Sequence, residues 1–82
     1  MIVTYHAREK WRKRFPHLDM EAEWKKAKKC PRKVKRALHE MCPEHKRFMR
    51  ATFNGRYLLA TDQVVFVVAP PEVVITVLRR PT

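Results

Sequence analysis

The sequence predicts an α+β domain in which N-terminal helices pack on one face of a twisted antiparallel β-sheet, in the order β-α-α-(α)-β-β-β-β. In the first half of the chain, apolar residues recur at helical spacing and prolines separate the helical segments. In the last third, short strand-like segments alternate with turn sequences. The 82 residues suffice for one domain, residues 1–82, with no second core.

The first two predicted elements are a short edge strand and a helix. Ile2–Tyr5 is rich in β-branched and aromatic residues, which favour a strand. Ala7, Trp11 and Phe15 then recur at i, i+4 and i+8, so they share one face of a helix. Pro16 ends this helix because its ring clashes with the preceding turn. We expect Trp11 and Phe15 to join the helix to the sheet.

A second helix is predicted between Asp19 and Pro31. Asp19 suits the N-cap position, and Met20, Trp24 and Ala27 form the apolar face. Four lysines lie near the C-terminus of this helix, where positive charge complements the helix dipole.

Arg32–Met41 predicts a third helix, which Pro43 ends. Val34 and Leu38 lie one turn apart on its apolar face. A basic stretch with so narrow an apolar face also fits a loop, so this helix stands in brackets in the predicted order.

The centre of the predicted sheet is Val64–Ala69, a run of apolar residues typical of a strand covered on both faces. Upstream, Asn54-Gly55 predicts a type I′ hairpin turn between the strands Phe48–Phe53 and Arg56–Thr61, because both residues tolerate positive φ. Downstream, two prolines lead into the last strand, Val73–Leu78. The last third of the chain is therefore predicted to be an antiparallel meander.

Positive charge is the strongest compositional feature, and it is unevenly distributed. The chain has 19 Lys and Arg against 8 Asp and Glu, a formal net charge of +11. Sixteen of the cations and six of the acids lie in residues 1–50, a balance of +10, against +1 for residues 51–82. Such a positive surface usually binds a polyanion, most often a nucleic acid. The alternative is an ordinary solvated face of a basic protein.

The remaining composition indicates a cytoplasmic domain that does not enter a membrane. Two cysteines are too few for a disulfide scaffold. The N-terminal residues have neither a basic region nor an apolar region of a signal peptide. No apolar run approaches the ~20 residues that span a bilayer.

Residues 25–36, hereafter the basic segment, have eight positive charges in twelve positions and no acid. The cations are Lys25, Lys26, Lys28, Lys29, Arg32, Lys33, Lys35 and Arg36. This pattern predicts electrostatic attraction to phosphates. It does not predict sequence readout, because phosphate contacts position a protein without specifying bases.

His6, Lys10 and Arg14 are spaced i, i+4 and i+8, so they form a cationic ridge on the first helix. Metal-free RNA cleavage needs a group that exchanges protons near neutral pH and cations that face the developing phosphorane charge. Histidine supplies the first and lysine or arginine the second. The simpler interpretation is a solvated helix face, because basic ridges are common.

Polar residues on the predicted strands are further candidates. Arg56, Tyr57, Thr61 and Thr76 interrupt apolar sequence. Tyr57 can stack on a base or donate its hydroxyl group to a phosphate. Tyrosine and threonine are equally ordinary strand formers, so both interpretations stay open.

Four residue types that bind zinc occur in the middle of the chain, at Cys30, His39, Cys42 and His45. Their spacing matches no common zinc module. We therefore predict neither a metal nor a cofactor.

Five parts of the sequence form a recognisable pattern: His6-Ala7-Arg8-Glu9-Lys10, Arg14, Gly55-Arg56-Tyr57, Val64–Val68 and Val74-Ile75-Thr76-Val77. This pattern resembles small RelE-related domains, which open with His-Ala-x-x-Arg and close on a Val-Ile-Thr-Val strand. The RelE- and BrnT-like toxins belong to a wider group with barnase and the tRNase colicins. The resemblance covers roughly the first fifteen and last thirty residues.

The resemblance implies N-terminal helices over a twisted antiparallel sheet and a metal-independent endoribonuclease ancestry, in toxin–antitoxin modules or phages. It implies His6, Arg14 and Thr76 as the catalytic positions. Lys10 stands where an arginine is usual, which keeps the charge but loses bidentate geometry. Residues 31–47 depart from the pattern as a basic, proline-bounded addition.

We therefore hypothesise an RNA-directed RelE-like domain that cleaves single-stranded or ribosome-associated RNA, or an RNA-binding descendant of one. His6 would be the general acid and base, and Arg14 and Lys10 would stabilise phosphate. Arg56 and Tyr57 would add contacts, and the basic segment would dock the RNA. The alternatives are a non-enzymatic nucleic-acid-binding module and a phage- or host-encoded effector of an acidic host protein. An acidic antitoxin partner is compatible with the first hypothesis.

Overall fold

The structure, a computed structural model, describes residues 1–41 and 57–81. Within these ranges the chain forms three helices and one five-stranded sheet, so the predicted α+β class is confirmed. The helices are α1 (Tyr5–Arg14), α2 (Met20–Lys26) and α3 (Arg32–Met41). The strands are β1 (Ile2–Val3), β2 (Lys28–Lys29), β3 (Tyr57–Ala60), β4 (Val64–Ala69) and β5 (Val73–Arg79).

The sheet is mixed, with the strand order β1-β5-β4-β3-β2. The pairs β3–β4 and β4–β5 are antiparallel, as predicted, and the unpredicted β2 is antiparallel to β3, but β1 pairs in parallel with β5. The prediction of a purely antiparallel sheet is therefore wrong at this edge. A parallel neighbour needs a crossover connection, and here almost the whole chain lies between the two strands.

Strand β4 is the centre of the core, as its unbroken apolar sequence predicts. It lies between β3 and β5, and Val64–Val68 are fully buried. Val64, Phe66 and Val68 belong to one apolar cluster, and Val65 and Val67 belong to another. Because successive side chains of a strand point to opposite faces, both faces of the sheet need a cover.

The helices cover both faces of the sheet, and the prediction that they pack on one face is wrong. Helices α1 and α2 contribute Trp11 and Trp24 to the cluster around Phe66. Helix α3 contributes Val34 and Leu38 to the cluster on the opposite face. The chain changes face between α2 and α3, where it passes around the sheet edge as β2.

Strand β2 replaces the predicted C-terminal part of the second helix. The helix ends at Lys26, and Ala27 has extended backbone angles, φ −64° and ψ 134°. Lys28 and Lys29 then pair with Ala60 and Leu59 of β3. This edge pairing carries the chain from the α1 and α2 face of the sheet to the α3 face.

Helix α1 packs on the sheet as the sequence predicts. Thr4 is its N-cap and accepts a hydrogen bond of 3.2 Å from the Ala7 amide, which shortens the predicted first strand to Ile2–Val3. Trp11 and Phe15 are buried, and the Trp11 ring stacks on Phe66 with a centroid separation of 5.9 Å.

Two further sequence predictions lie outside the described residues, namely the strand Phe48–Phe53 and the Asn54-Gly55 turn. In the part of the chain that the structure describes, no helix has the length and apolar character needed to cross a bilayer.

Candidate nucleic-acid interface

The basic segment wraps around the β2 edge of the sheet. It runs from the last turn of α2, through β2, into the first turns of α3. Because α2 and α3 cover opposite faces, the segment presents charge on both sides of this edge. Seven of its eight cations are exposed, and only Lys35 is partly buried.

This arrangement suits contact with a chain of phosphates. Lysine ammonium groups on flexible stems follow an irregular backbone, and the arginine guanidinium groups on α3 can bind phosphate oxygens bidentately. Lysines on an edge strand also discourage pairing with other chains. That protective role accounts for Lys28 and Lys29, but it does not account for the charges on both helices.

A cleft lies beside the basic segment, between the end of α2, β2, the turn after β3 and the end of β5. Its volume is about 480 Å³, within the range of small-molecule sites. It is lined by Glu23, Lys26, Lys28, Lys29, Pro31, Ala60, Thr61, Asp62, Gln63 and Arg80. We call it the Glu23 cleft. Its four cations and two acids give it a net positive lining.

Glu23 is a nearly buried carboxylate in the wall of this cleft, with 5% of its surface exposed. The Thr61 hydroxyl group lies 3.5 Å from Glu23 Oε1, and Lys26 Nζ lies 3.4 Å from Oε2. The Thr61 hydroxyl oxygen also accepts hydrogen bonds from the backbone amides of Gln63 and Val64. Its own proton is therefore directed to the carboxylate.

The turn that bears Thr61 is fixed by Arg80. The Arg80 guanidinium donates a hydrogen bond of 2.8 Å to the Thr61 carbonyl, and the Arg80 amide donates one of 2.9 Å to the Gln63 carbonyl. A threonine side chain that bonds backbone amides two and three residues ahead is a common turn device. These hydrogen bonds connect the cleft wall opposite α2 to the end of β5.

Sequence reasoning did not identify Glu23 as a site residue, because an acid near the N-terminal end of a helix is explained by its favourable interaction with the helix dipole. A signal was present. Glu23 lies three residues after Met20 and four before Ala27, so it shares the apolar face of that helix. An acid on an apolar helix face predicts a buried carboxylate with partners.

The ridge of His6, Lys10 and Arg14 lies on α1, away from the basic segment. Helix α1 packs along β5, next to β1, whereas β2 is the strand at the opposite edge. His6 is exposed and Lys10 is partly buried. Arg14 donates a hydrogen bond of 2.7 Å to the Val77 carbonyl, so its guanidinium is engaged with the backbone of β5.

Thr76 does not face α1. It pairs with Val67, whose side chain lies in the cluster under α3, and it is 3% exposed. Tyr57 packs with the opposite cluster and donates its hydroxyl group to the Pro71 carbonyl at 3.1 Å. The fold therefore does not bring Thr76 together with His6 and Arg14. Whether any of the three acts in catalysis stays a prediction.

The remaining candidates are placed only in part. Arg56, Cys42, His45 and the side chain of His39 lie outside what the structure describes. Within residues 1–41 and 57–81, no three His, Cys, Asp or Glu side chains form a group that could hold a metal ion. Cys30 is buried under α3, and burial raises the pKa of its thiol, with Lys35 and Arg80 acting in the opposite direction.

Comparison with protein-family models, with curated proteins and with solved structures gives no match to this chain.

Proposed function

We propose that the protein is an RNA-binding domain of RelE-like architecture whose basic segment holds the phosphate backbone of single-stranded or ribosome-associated RNA. The observation that supports this most is the exposure of seven cations around one sheet edge. Exposed cations on both sides of one edge can contact a flexible polyanion as it passes from one face of the sheet to the other. Binding at this surface releases counterions, so affinity should depend steeply on salt.

The test is the affinity for a fluorescently labelled single-stranded RNA, measured by anisotropy at several salt concentrations. We expect the affinity of the unmodified protein to fall by orders of magnitude between low and moderate salt. The double variant K28Q/K29Q removes two charges from the β2 edge. Its salt slope should be smaller by about 1.4, since each phosphate contact on a single strand contributes about 0.7.

The control is R8Q/K13Q, which removes two exposed charges from α1 and leaves the basic segment intact. It has the same net charge as K28Q/K29Q. A general charge effect would weaken binding equally in both variants. Equal loss of RNA affinity in the two variants contradicts the proposed surface, and so does an RNA affinity that does not change with salt concentration.

Metal-independent RNA cleavage is the second candidate. His6 is exposed one helical turn from Lys10, so a substrate can reach both side chains. In this proposal His6 transfers the protons and Lys10 stabilises the phosphate. Incubation with RNA in EDTA should give cleavage by the unmodified protein and none by His6→Ala. Cleavage that survives His6→Ala removes His6 from the mechanism.

An acidic protein, such as an antitoxin or a host protein captured by a phage effector, suits the same positive surface. Such a partner would compete with RNA for the basic segment. A complex that forms after nuclease treatment and resists added RNA would favour this alternative over the RNA-binding proposal.

A further inference from the structure

Glu23 is a nearly buried carboxylate in the wall of a cleft whose exposed lining residues include Lys26, Lys28 and Lys29. We infer that the Glu23 cleft binds one nucleotide of the RNA and selects a base that presents an exocyclic amino group, such as cytosine. This inference rests on the proposed RNA-binding function and adds a base preference to it. Three features of the cleft support it: the free acceptor capacity of the carboxylate, the cations at the rim, and the lack of aromatic lining.

The carboxylate of Glu23 has acceptor capacity left. Its two contacts, 3.5 Å from Thr61 Oγ1 and 3.4 Å from Lys26 Nζ, are longer than the roughly 2.7–2.9 Å of strong charge-assisted hydrogen bonds. An ionised carboxylate offers about four lone-pair sites. Glu23 lines the cleft, so an N–H donor that enters it meets an acceptor that these contacts only partly use.

The rim of the cleft supplies the charge that a nucleotide needs. Lys28 and Lys29 line the cleft and are both exposed, so they belong to the cleft and to the basic segment together. A phosphate held by these lysines places its own nucleotide at the cleft entrance. Lys26 also lines the cleft, and its side chain is 70% exposed, so it can contact the same phosphate.

Hydrogen bonding, and not stacking, would set the base preference. None of the residues that line the cleft is aromatic, so the cleft offers no stacking platform. Cytosine has an amino donor at the ring position where uracil has a carbonyl acceptor. A carboxylate accepts a hydrogen bond from the amino group of cytosine and repels the carbonyl oxygen of uracil. The two pyrimidines have the same size, so a difference in their affinities reports the hydrogen-bonding groups of the cleft, and the Glu23 variant assigns it to the carboxylate.

The experiment compares cytidine and uridine hexanucleotides, which have equal phosphate charge, at one salt concentration. We expect the unmodified protein to bind the cytidine hexamer about tenfold more tightly. Glu23→Gln should reduce this preference to less than about twofold, because an amide pairs with either base. The control Glu21→Gln makes the same charge change at an exposed position of α2 outside the cleft and should keep the preference.

Three outcomes are distinguishable. Equal affinity of the unmodified protein for both hexamers, with the salt dependence described above, overturns the base preference and leaves the RNA-binding surface standing. No binding of either hexamer overturns the proposed function and this inference together. A preference that persists in Glu23→Gln shows that another group selects the base.

A second measurement avoids the risk that Glu23→Gln fails to fold. Cytidine 3′-monophosphate is titrated into the unmodified protein, and amide chemical shifts are followed by NMR. The amides of Thr61, Asp62 and Gln63 should move, and uridine 3′-monophosphate should move them less. Equal shifts with both nucleotides, or shifts confined to α1, contradict the inference.

Discussion

The guanidinium of Arg14 donates a 2.7 Å hydrogen bond to the backbone carbonyl of Val77, which ties the last turn of α1 to β5. The register of β1 with β5 covers two residue pairs, Ile2 with Val73 and Val3 with Val74. Further along β5, the Thr4 hydroxyl group donates to the Ile75 carbonyl at 3.1 Å, and Arg14 reaches Val77. Two side chains thus continue the hydrogen bonding that the short edge strand begins, which closes the edge against other strands.

Arg14→Ala should lower the free energy of unfolding by about 1–2 kcal/mol, because a partly buried carbonyl loses a charged donor. Urea unfolding measures the change. Arg14→Lys, which keeps one charged donor, should lose less. A structural role predicts that RNA binding of the folded Arg14→Ala protein is nearly unchanged. A large loss of RNA affinity without loss of stability would assign Arg14 to substrate.

Trp11 packs α1 against the sheet. It is 7% exposed, stacks on Phe66, and donates its indole N–H to the Leu18 carbonyl at 3.1 Å. Trp11→Ala should cost roughly 3–5 kcal/mol, enough to unfold a domain of this size. Thermal unfolding followed by circular dichroism measures it. Tyr5→Ala, at an 80% exposed aromatic position of the same helix, is the control and should leave the melting temperature unchanged.

The spacing of apolar residues predicted the helices and strands whose packed faces depend on residues close together in the sequence. The spacing of Ala7, Trp11 and Phe15 predicted the packed face of α1, and the unbroken apolar run predicted the central strand. The same run requires a cover on both faces, which one layer of helices does not provide. Arg32–Met41 supplies the second cover, but its narrow apolar stripe gave no indication of the face on which it packs.

The candidate site was predictable only where it depends on composition. Eight cations in twelve positions predicted the basic segment without knowledge of the fold. The contact between Glu23 and Thr61 joins residues 38 positions apart, and it exists because β2 brings the end of α2 next to β3. The position of Thr76 could not be predicted from the sequence either. An irregularity in the β4–β5 pairing, between Val67 and Val68, leaves Ile75 without a partner in the register, so alternation alone does not give the face of Thr76.

Cys30 makes the stability of the domain sensitive to alkaline pH. Burial raises the pKa of its thiol, so the folded protein holds this proton more tightly than the unfolded chain does. The contribution of the buried, protonated thiol to the free energy of unfolding is therefore fully present below the unfolded-state pKa of about 8.5. It is lost as the pH rises beyond that value. Urea midpoints of the unmodified protein should fall more steeply above about pH 8.5 than those of Cys30→Ala. If the urea midpoints of the two proteins change with pH in parallel, the ionisation of Cys30 does not contribute to the pH dependence of stability.

Thr61 connects the turn after β3 to the carboxylate of the cleft, so its removal should lower both the stability of the domain and the base preference. Thr61→Val keeps the shape of the side chain but removes the acceptor for two backbone amides and the donor to Glu23. Unfolding should become easier by about 1–3 kcal/mol. Thr61→Ser keeps the hydroxyl group and should lose less.

The same pair of variants tests the orientation of Glu23. Without the Thr61 hydroxyl group the carboxylate loses its buried partner and keeps the contact with the exposed Lys26 ammonium group, so Thr61→Val should lose most of the cytidine preference. The salt slope for RNA binding should stay at its unmodified value, because no cation of the basic segment changes. Thr61→Ser should restore the preference. A change in the salt slope with the cytidine preference intact would mean that Thr61 acts on the basic segment and leaves the orientation of Glu23 unaffected.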